Sequence, residues 1–201
     1  MNELERLTEL FMRFPGIGPR QARRFVLFLL RQDAGYRNTL VRSIQNVATD
    51  IQQCTMCLRF ASLHKKVPLC DLCAQVNRSD EQLMIVEKDP DIEQMERSGA
   101  YNGRYIVLGG TLSLTGKKSS IREKELDSYL KKRKVLPSEI IIALSATPDG
   151  EYTANYLSEK FKKEPATSGL SITMLGRGLS TGSELEYADA VTLMQALKNR
   201  A

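Results

Sequence analysis

Tryptophan is absent from this 201-residue chain, histidine occurs once and cysteine only four times. No apolar run approaches the roughly 20 residues that a membrane-spanning helix needs, so no membrane association is expected. The opening MNELERLTEL is charged and amphipathic, unlike a secretory leader, so the thiols are expected to be reduced. A Ser-His-Asp triad is not credible when the one histidine, His64, lies between cysteines, and no cysteine stands apart to serve as a nucleophile. Internal repeats and low-complexity tracts are also missing. Surplus charge is absent from most of the chain: residues 81–201 hold 17 Lys+Arg and 17 Asp+Glu, whereas residues 1–80 hold 12 against 7. The basic excess is therefore N-terminal. It points to a polyanion partner, with an ordinary solvated surface as the plain alternative.

What is present is concentrated. All four cysteines fall in one stretch, Cys54-x2-Cys57 and Cys70-x2-Cys73, with twelve residues between the pairs. Each pair can bring two thiolates to one ion from a tight turn, and four thiolates close a tetrahedral zinc shell. A closed shell has no position for water or substrate, so one structural Zn2+ per chain is expected, with no catalytic role. Two disulfides or a redox CxxC pair are the competing readings. His64 could compete as a ligand, although a solvated loop histidine is the simpler reading beside four thiolates.

Periodicity orders the rest. Leu4, Leu7, Leu10 and Phe11 predict a helix over 3–12, and Ala22, Phe25, Val26 and Leu29 a second from Arg20. A third is expected from about Asn38 to Gln52. After Asp80 short apolar runs alternate with helical segments. Strands are predicted at 83–87, 105–108, 140–144 and 170–175, with helices at 121–134 and 151–163. Asp89 is expected to cap another helix, with Pro90 at its first position. A C-terminal helix is expected over 184–199. This alternation predicts an α/β fold with a mostly parallel sheet and flanking helices, behind a helical head and a zinc knuckle. The expected domains are 1–53, 54–73, 80–176 and 177–201.

Three motifs bear on chemistry. Pro15-Gly16-Ile17-Gly18-Pro19 joins two amphipathic helices, and its glycines allow a tight hairpin whose amides face outward. With Arg20, Arg23 and Arg24 beside it, the hairpin is a candidate for gripping nucleic-acid phosphates without reading bases. A ligand-free linker and a subunit contact are the alternatives. Glu87 ends the first predicted strand, at the sheet edge where parallel folds bind ligands and metals. Its partners there would be acids after the third strand, but Ser145 and Thr147 stand where two aspartates would serve a magnesium site best, with Asp149 and Glu151 beyond. The stretch from Gly109 to Lys118 approaches a phosphate loop but fails the G-x4-G-K-[ST] pattern, and it is rejected. Lys131-Lys132-Arg133-Lys134 reads as a solvated helix end, with a DNA-facing role as the alternative.

Taken in order, these features resemble the bacterial RecR family of recombination mediators. FPGIGPRQARRFVLFLL looks like that family's N-terminal signature. Tyr101-Asn102-Gly103-Arg104-Tyr105-Ile106-Val107-Leu108-Gly109-Gly110 is similar to its GAYxGRYxVLGG segment, and Gly178 to Asp189 is similar to its Walker B-like motif. The resemblance covers nearly the whole chain. It implies a Toprim-type body, a non-enzymatic role, and rings or clamps built from homodimers and homotetramers. It also implies association with RecO and RecF and help in loading RecA on single-stranded DNA. DNA binding would fall to Gly16, Gly18 and the hairpin arginines, of which Arg20 and Arg24 match the family's basic positions. Glu87, Glu184 and Glu186 are the candidate partner-binding residues. The setting implied is cytoplasmic and nucleoid-associated.

The chain departs from the family's pattern at several points. The spacer between the CxxC pairs is twelve residues rather than the eight expected. Arg177 stands where histidine is frequent, Lys88 follows Glu87 in place of an acid, and residues 112–121 lack the family's usual wording. Two rival functions stay open at this level: a magnesium-dependent Toprim nuclease or primase using Glu87 and Asp149, and a zinc-stapled scaffold that binds only protein.

Overall fold

Asn2 starts the first helix by a reciprocal capping box. Its side chain accepts from the Glu5 N–H and the Glu5 carboxylate accepts from its own N–H, each at 2.9 Å. A computed structural model describes residues 1–63, 67–115, 121–133, 135–182 and 184–200. His64, Lys117, Lys118, Lys134 and Ser183 lie outside the described residues, and with them the reading of His64 as a solvated residue and parts of the near-miss loop and the basic run. The chain divides into two compact units, Met1–Gln52 and Gln53–Ala201.

In the first unit, α1 (Glu3–Met12) and α2 (Pro19–Arg31) form a hairpin closed by Ala22 and Val26, both buried, and by the Phe11–Phe25 edge contact at 5.8 Å. The third helix, α3 (Ala34–Asp50), starts four residues before the expected Asn38. Asp33 explains the difference: its carboxylate accepts the Tyr36 N–H at 2.8 Å and caps the helix there.

Strand β1 (Ile51–Gln53) spans the division between the units; the second unit continues with β2 (Phe60–Ser62) and the short helix α4 (Asp71–Ala74). The main sheet holds β3 (Gln82–Val86), β4 (Arg104–Val107), β5 (Glu139–Ala143) and β6 (Ser171–Met174), all parallel, in the order β4-β3-β5-β6. Between them run α5 (Asp89–Ser98), α6 (Glu123–Lys132) and α7 (Pro148–Lys163). The expected α/β architecture is therefore present. Alternation along the strands splits the core in two. Leu83, Ile85, Ile106, Ile140 and Ile142 pack with Leu126, Leu130, Leu157 and Phe161 on the α6–α7 face. Met84, Val86, Tyr105 and Val107 pack with Ile92 on the α5 face.

Three further boundaries differ from expectation for reasons that side-chain capping explains. Asp89 is the first residue of α5 and Lys88 is its cap, because Asp91 takes the Lys88 N–H at 2.9 Å while Asp89 accepts from the Phe60 N–H at 3.0 Å. Helix α7 begins at Pro148 rather than Glu151, because Thr147 caps it through the Gly150 N–H. The C-terminal segment is a 3-10 turn (Leu185–Tyr187) and then α8 (Ala190–Lys198), capped by Asp189, which leaves Glu184 and Glu186 outside the α-helix.

Phe161 is fully buried near the end of α7. Phe161→Ala should destabilise the α/β unit by about 3–5 kcal/mol, seen as a lower urea midpoint at unchanged slope. An unaltered midpoint would contradict this packing.

Candidate functional site

The cysteine knuckles are built by turns. The Leu58 N–H returns to the Cys54 carbonyl at 3.0 Å and the Ala74 N–H to the Cys70 carbonyl at 3.0 Å, so each CxxC pair points two sulfurs the same way. Leu58 takes a left-handed φ of 63° to close the first turn. Pro68 joins the two pairs, its carbonyl accepting both the backbone N–H and the hydroxyl of Thr55 at 3.1 Å each. Part of the spacer between the pairs forms β2.

The four sulfurs are buried and all lie within 4.8 Å of one another, with Cys57 and Cys70 at 3.6 Å. None is in a disulfide. A tetrahedral Zn–S shell has sulfur–sulfur edges of about 3.8 Å, so this donor set fits the ion. Hydrogen bonds from the neighbouring sulfurs, that of Cys54 first, push the Cys57 and Cys73 thiols far up from their ordinary range. That is the expected conflict when several thiolates would share one buried space without a cation. Among the described residues this is the one group of three or more such side chains close enough to hold a metal.

The cluster is fastened to the main sheet. The Val107 N–H donates to the Cys57 carbonyl at 2.8 Å, and Arg122 Nη1 donates to the Leu58 carbonyl at 2.8 Å. Arg104 Nη1 reaches the carbonyls of Cys73 and Gln75 at 3.2 and 3.1 Å, and its Nε meets Asp80 at 3.0 Å. These contacts account for much of the Tyr101–Gly110 motif. Gly103 leaves no room for a side chain against the Tyr101 ring and the Gln82 carbonyl. Tyr105 donates to Glu96 at 2.7 Å, which also pairs with the buried Arg78. Arg78 holds the Glu96 carboxyl below its usual range. Spacing did not reveal Arg122 or Asp89, because their partners are backbone groups distant in sequence.

At the hairpin, Gly16 has φ 77° and needs glycine for its conformation. Gly18 has an ordinary φ of −86°, and a side chain there would meet open space, so neither conformation nor packing in this chain requires glycine. Gly18 makes no side-chain cap, and Pro19 follows it, so the first amides of α2 are left open. Arg20, Arg23 and Arg24 are exposed; Arg20 and Arg24 share the α2 face opposite Ala22 and Val26, and Arg23 lies to one side of it. No described carboxylate pairs with them.

At the sheet edge, Glu87 has one buried carboxylate oxygen without a partner and lines a cleft of about 370 Å3 with Lys88, Asp91 and Ser145. Ser145 and Thr147 are 3.1 Å apart, hydroxyl to hydroxyl. Asp149 accepts the Leu114 N–H at 3.0 Å, and Glu151 pairs with Arg177. The acids after β5 are thus engaged elsewhere and do not gather with Glu87. Glu184 precedes the 3-10 turn and Glu186 lies within it; both are exposed, and neither is brought to Glu87.

Fold and site together define a Toprim-type protein that carries a four-cysteine module and a helical hairpin. The family described as Toprim domain matches residues 81–175, RecR helix-hairpin-helix matches 4–48, and RecR C-terminal matches 178–201. "Recombination protein RecR" of Cereibacter sphaeroides is 37% identical over 200 residues, covering 98% of this chain and 96% of the relative. That of Maricaulis maris is 38% identical over 202 residues (99% and 95%), and that of Dehalococcoides mccartyi 37% over 199 (98% and 93%). The chain belongs to the RecR family.

Elemental analysis of the purified protein should find one zinc per chain. Cys57→Ser with Cys73→Ser should reduce it to background and lower thermal stability, because metal binding and folding share one free energy. Full stability without metal would contradict a structural role.

Proposed function

We propose that the chain is a non-enzymatic, DNA-binding recombination mediator. In this reading homodimers or homotetramers close into a ring or clamp and act with RecO and RecF to help load RecA on single-stranded DNA. The hairpin grips both single- and double-stranded DNA by its phosphates. Zn2+, held by Cys54, Cys57, Cys70 and Cys73, has a structural task. Glu87, Glu184 and Glu186 are offered to protein partners. The work takes place in the cytoplasm, at the nucleoid. The division of labour follows 1–53, 54–73, 80–176 and 177–201.

One observation carries the DNA assignment: a glycine at 18 that the chain's own conformation and packing do not need, beside uncovered helix amides and three unpaired arginines. A backbone bare of Cβ admits the close approach that a phosphate makes, and helix dipole and arginines add favourable charge. The rival magnesium enzyme draws on the unpartnered oxygen of Glu87. Against it stand hydroxyls at Ser145 and Thr147 where further acids would be needed.

Arg20→Ala with Arg24→Ala should weaken oligonucleotide binding and reduce the log–log salt slope by up to about one unit for each lost phosphate contact. Unchanged affinity and slope would favour the protein-only scaffold. Metal-dependent DNA cleavage that Glu87→Gln abolishes would favour the enzyme.

A further inference from the structure

We propose that a groove between the cysteine module and α6 is a docking site for an extended, acidic and apolar peptide segment of a partner protein. This goes beyond the hairpin's role and does not depend on it.

The groove has a volume of about 500 Å3, within the size range of formed binding sites. Its apolar floor is Met56, Leu58 and Leu69. Met56 and Leu69 pack against the cysteine cluster from the groove side and are partly exposed there. The opposite wall is α6, fixed by Leu126 and Leu130 in the core. Tyr129 lines the groove and is held by Arg133, whose Nη1 meets its hydroxyl at 2.5 Å while Nη2 pairs with Asp80 at 2.8 Å. Arg133 is therefore committed. Both walls are held in place before any ligand arrives.

Lys124 and Lys132 stand exposed on the rim, and no described carboxylate lies in ion-pair range of either. Glu125 is the one acid in the lining. Eight helical residues separate the two lysines by about 12 Å. An extended chain covers that distance in about four residues at roughly 3.3 Å each, and residues i, i+2 and i+4 face one way. An acid-x-apolar-x-acid segment would place a carboxylate near each lysine and an apolar side chain over Met56, Leu58 and Leu69. A nucleic-acid strand fits less well. Phosphates leave the floor uncovered, and Tyr129, the one ring in the lining, is partly buried and tied by its hydroxyl, which limits base stacking.

The test uses fluorescence anisotropy of the labelled peptide Gly-Asp-Ser-Leu-Ser-Asp-Gly on the full-length, zinc-loaded protein. Saturable binding is expected, weakened at least about tenfold by exchanging Leu for Ser in the peptide or by Lys124→Glu with Lys132→Glu in the protein. The doubly substituted protein should retain its zinc and should bind the charge-reversed peptide Gly-Lys-Ser-Leu-Ser-Lys-Gly better than the wild type does. No saturable binding, or binding indifferent to these changes, overturns the proposal. So does a loss of oligo(dT) affinity in the same variant with peptide binding intact, which would make the groove a nucleic-acid surface. A shift in oligomer mass caused by the substitutions, again with peptide binding intact, would make it a contact between copies and also overturns the proposal.

Discussion

The α/β unit depends on four buried sulfurs converging within 4.8 Å. Small modules of this kind have too little apolar area to stay folded unaided, so their order comes from shared ligands. Here that order is passed on. Strand β4 lies at the edge of the main sheet, where its outer amides would otherwise have no strand to pair with. The Cys57 carbonyl accepts the Val107 amide, and Arg104 and Arg122 bind carbonyls at both ends of the module. The module thus covers the sheet edge as well as closing on itself. Its outward residues and α6 then define a groove whose shape does not wait for a ligand.

The two hairpin glycines serve different ends. Gly16 answers a local demand, a positive φ that other residues adopt at a cost of about 1 kcal/mol or more. Gly18 has an ordinary φ and caps α2, a position where glycine is among the favoured residues, and its bare Cα leaves space open beside the first amides of that helix.

Much of this was legible in the sequence, for identifiable reasons. The cysteine spacing specifies a tetrahedral donor set almost by itself. The runs Leu83–Val86 and Ile140–Ala143 are apolar throughout because both faces of the central strands are covered, and such runs announce a parallel sheet. Less legible were the places where a polar side chain chose between a local and a distant partner. Asp89 followed by Pro90 has the form of a cap, yet its carboxylate serves Phe60, twenty-nine residues away, and Asp91 binds the Lys88 amide instead. Thr147 was weighed as a missing acid, and its hydroxyl turned out to start a helix. Asp33 likewise caps α3 four residues before the expected start at Asn38, through the Tyr36 amide. The strand pair flanking the first knuckle is too short for period-two alternation to show.

The sheet edge shows how one substitution type alters what a fold can hold. Three carboxylates at a parallel sheet edge repel one another by several kcal/mol at low effective dielectric, and a divalent cation relieves that repulsion. Replace two of them with hydroxyls and the repulsion is gone, and with it the electrostatic reason for recruiting the ion. Ser145 and Thr147 instead satisfy each other, and Thr147 turns to the amides of α7. Glu87, which lines the cleft, keeps one oxygen buried and without a partner among the described residues. A lone carboxylate lacks the further anionic oxygens that a divalent cation at this edge would need, so the charge argument for magnesium chemistry fails here.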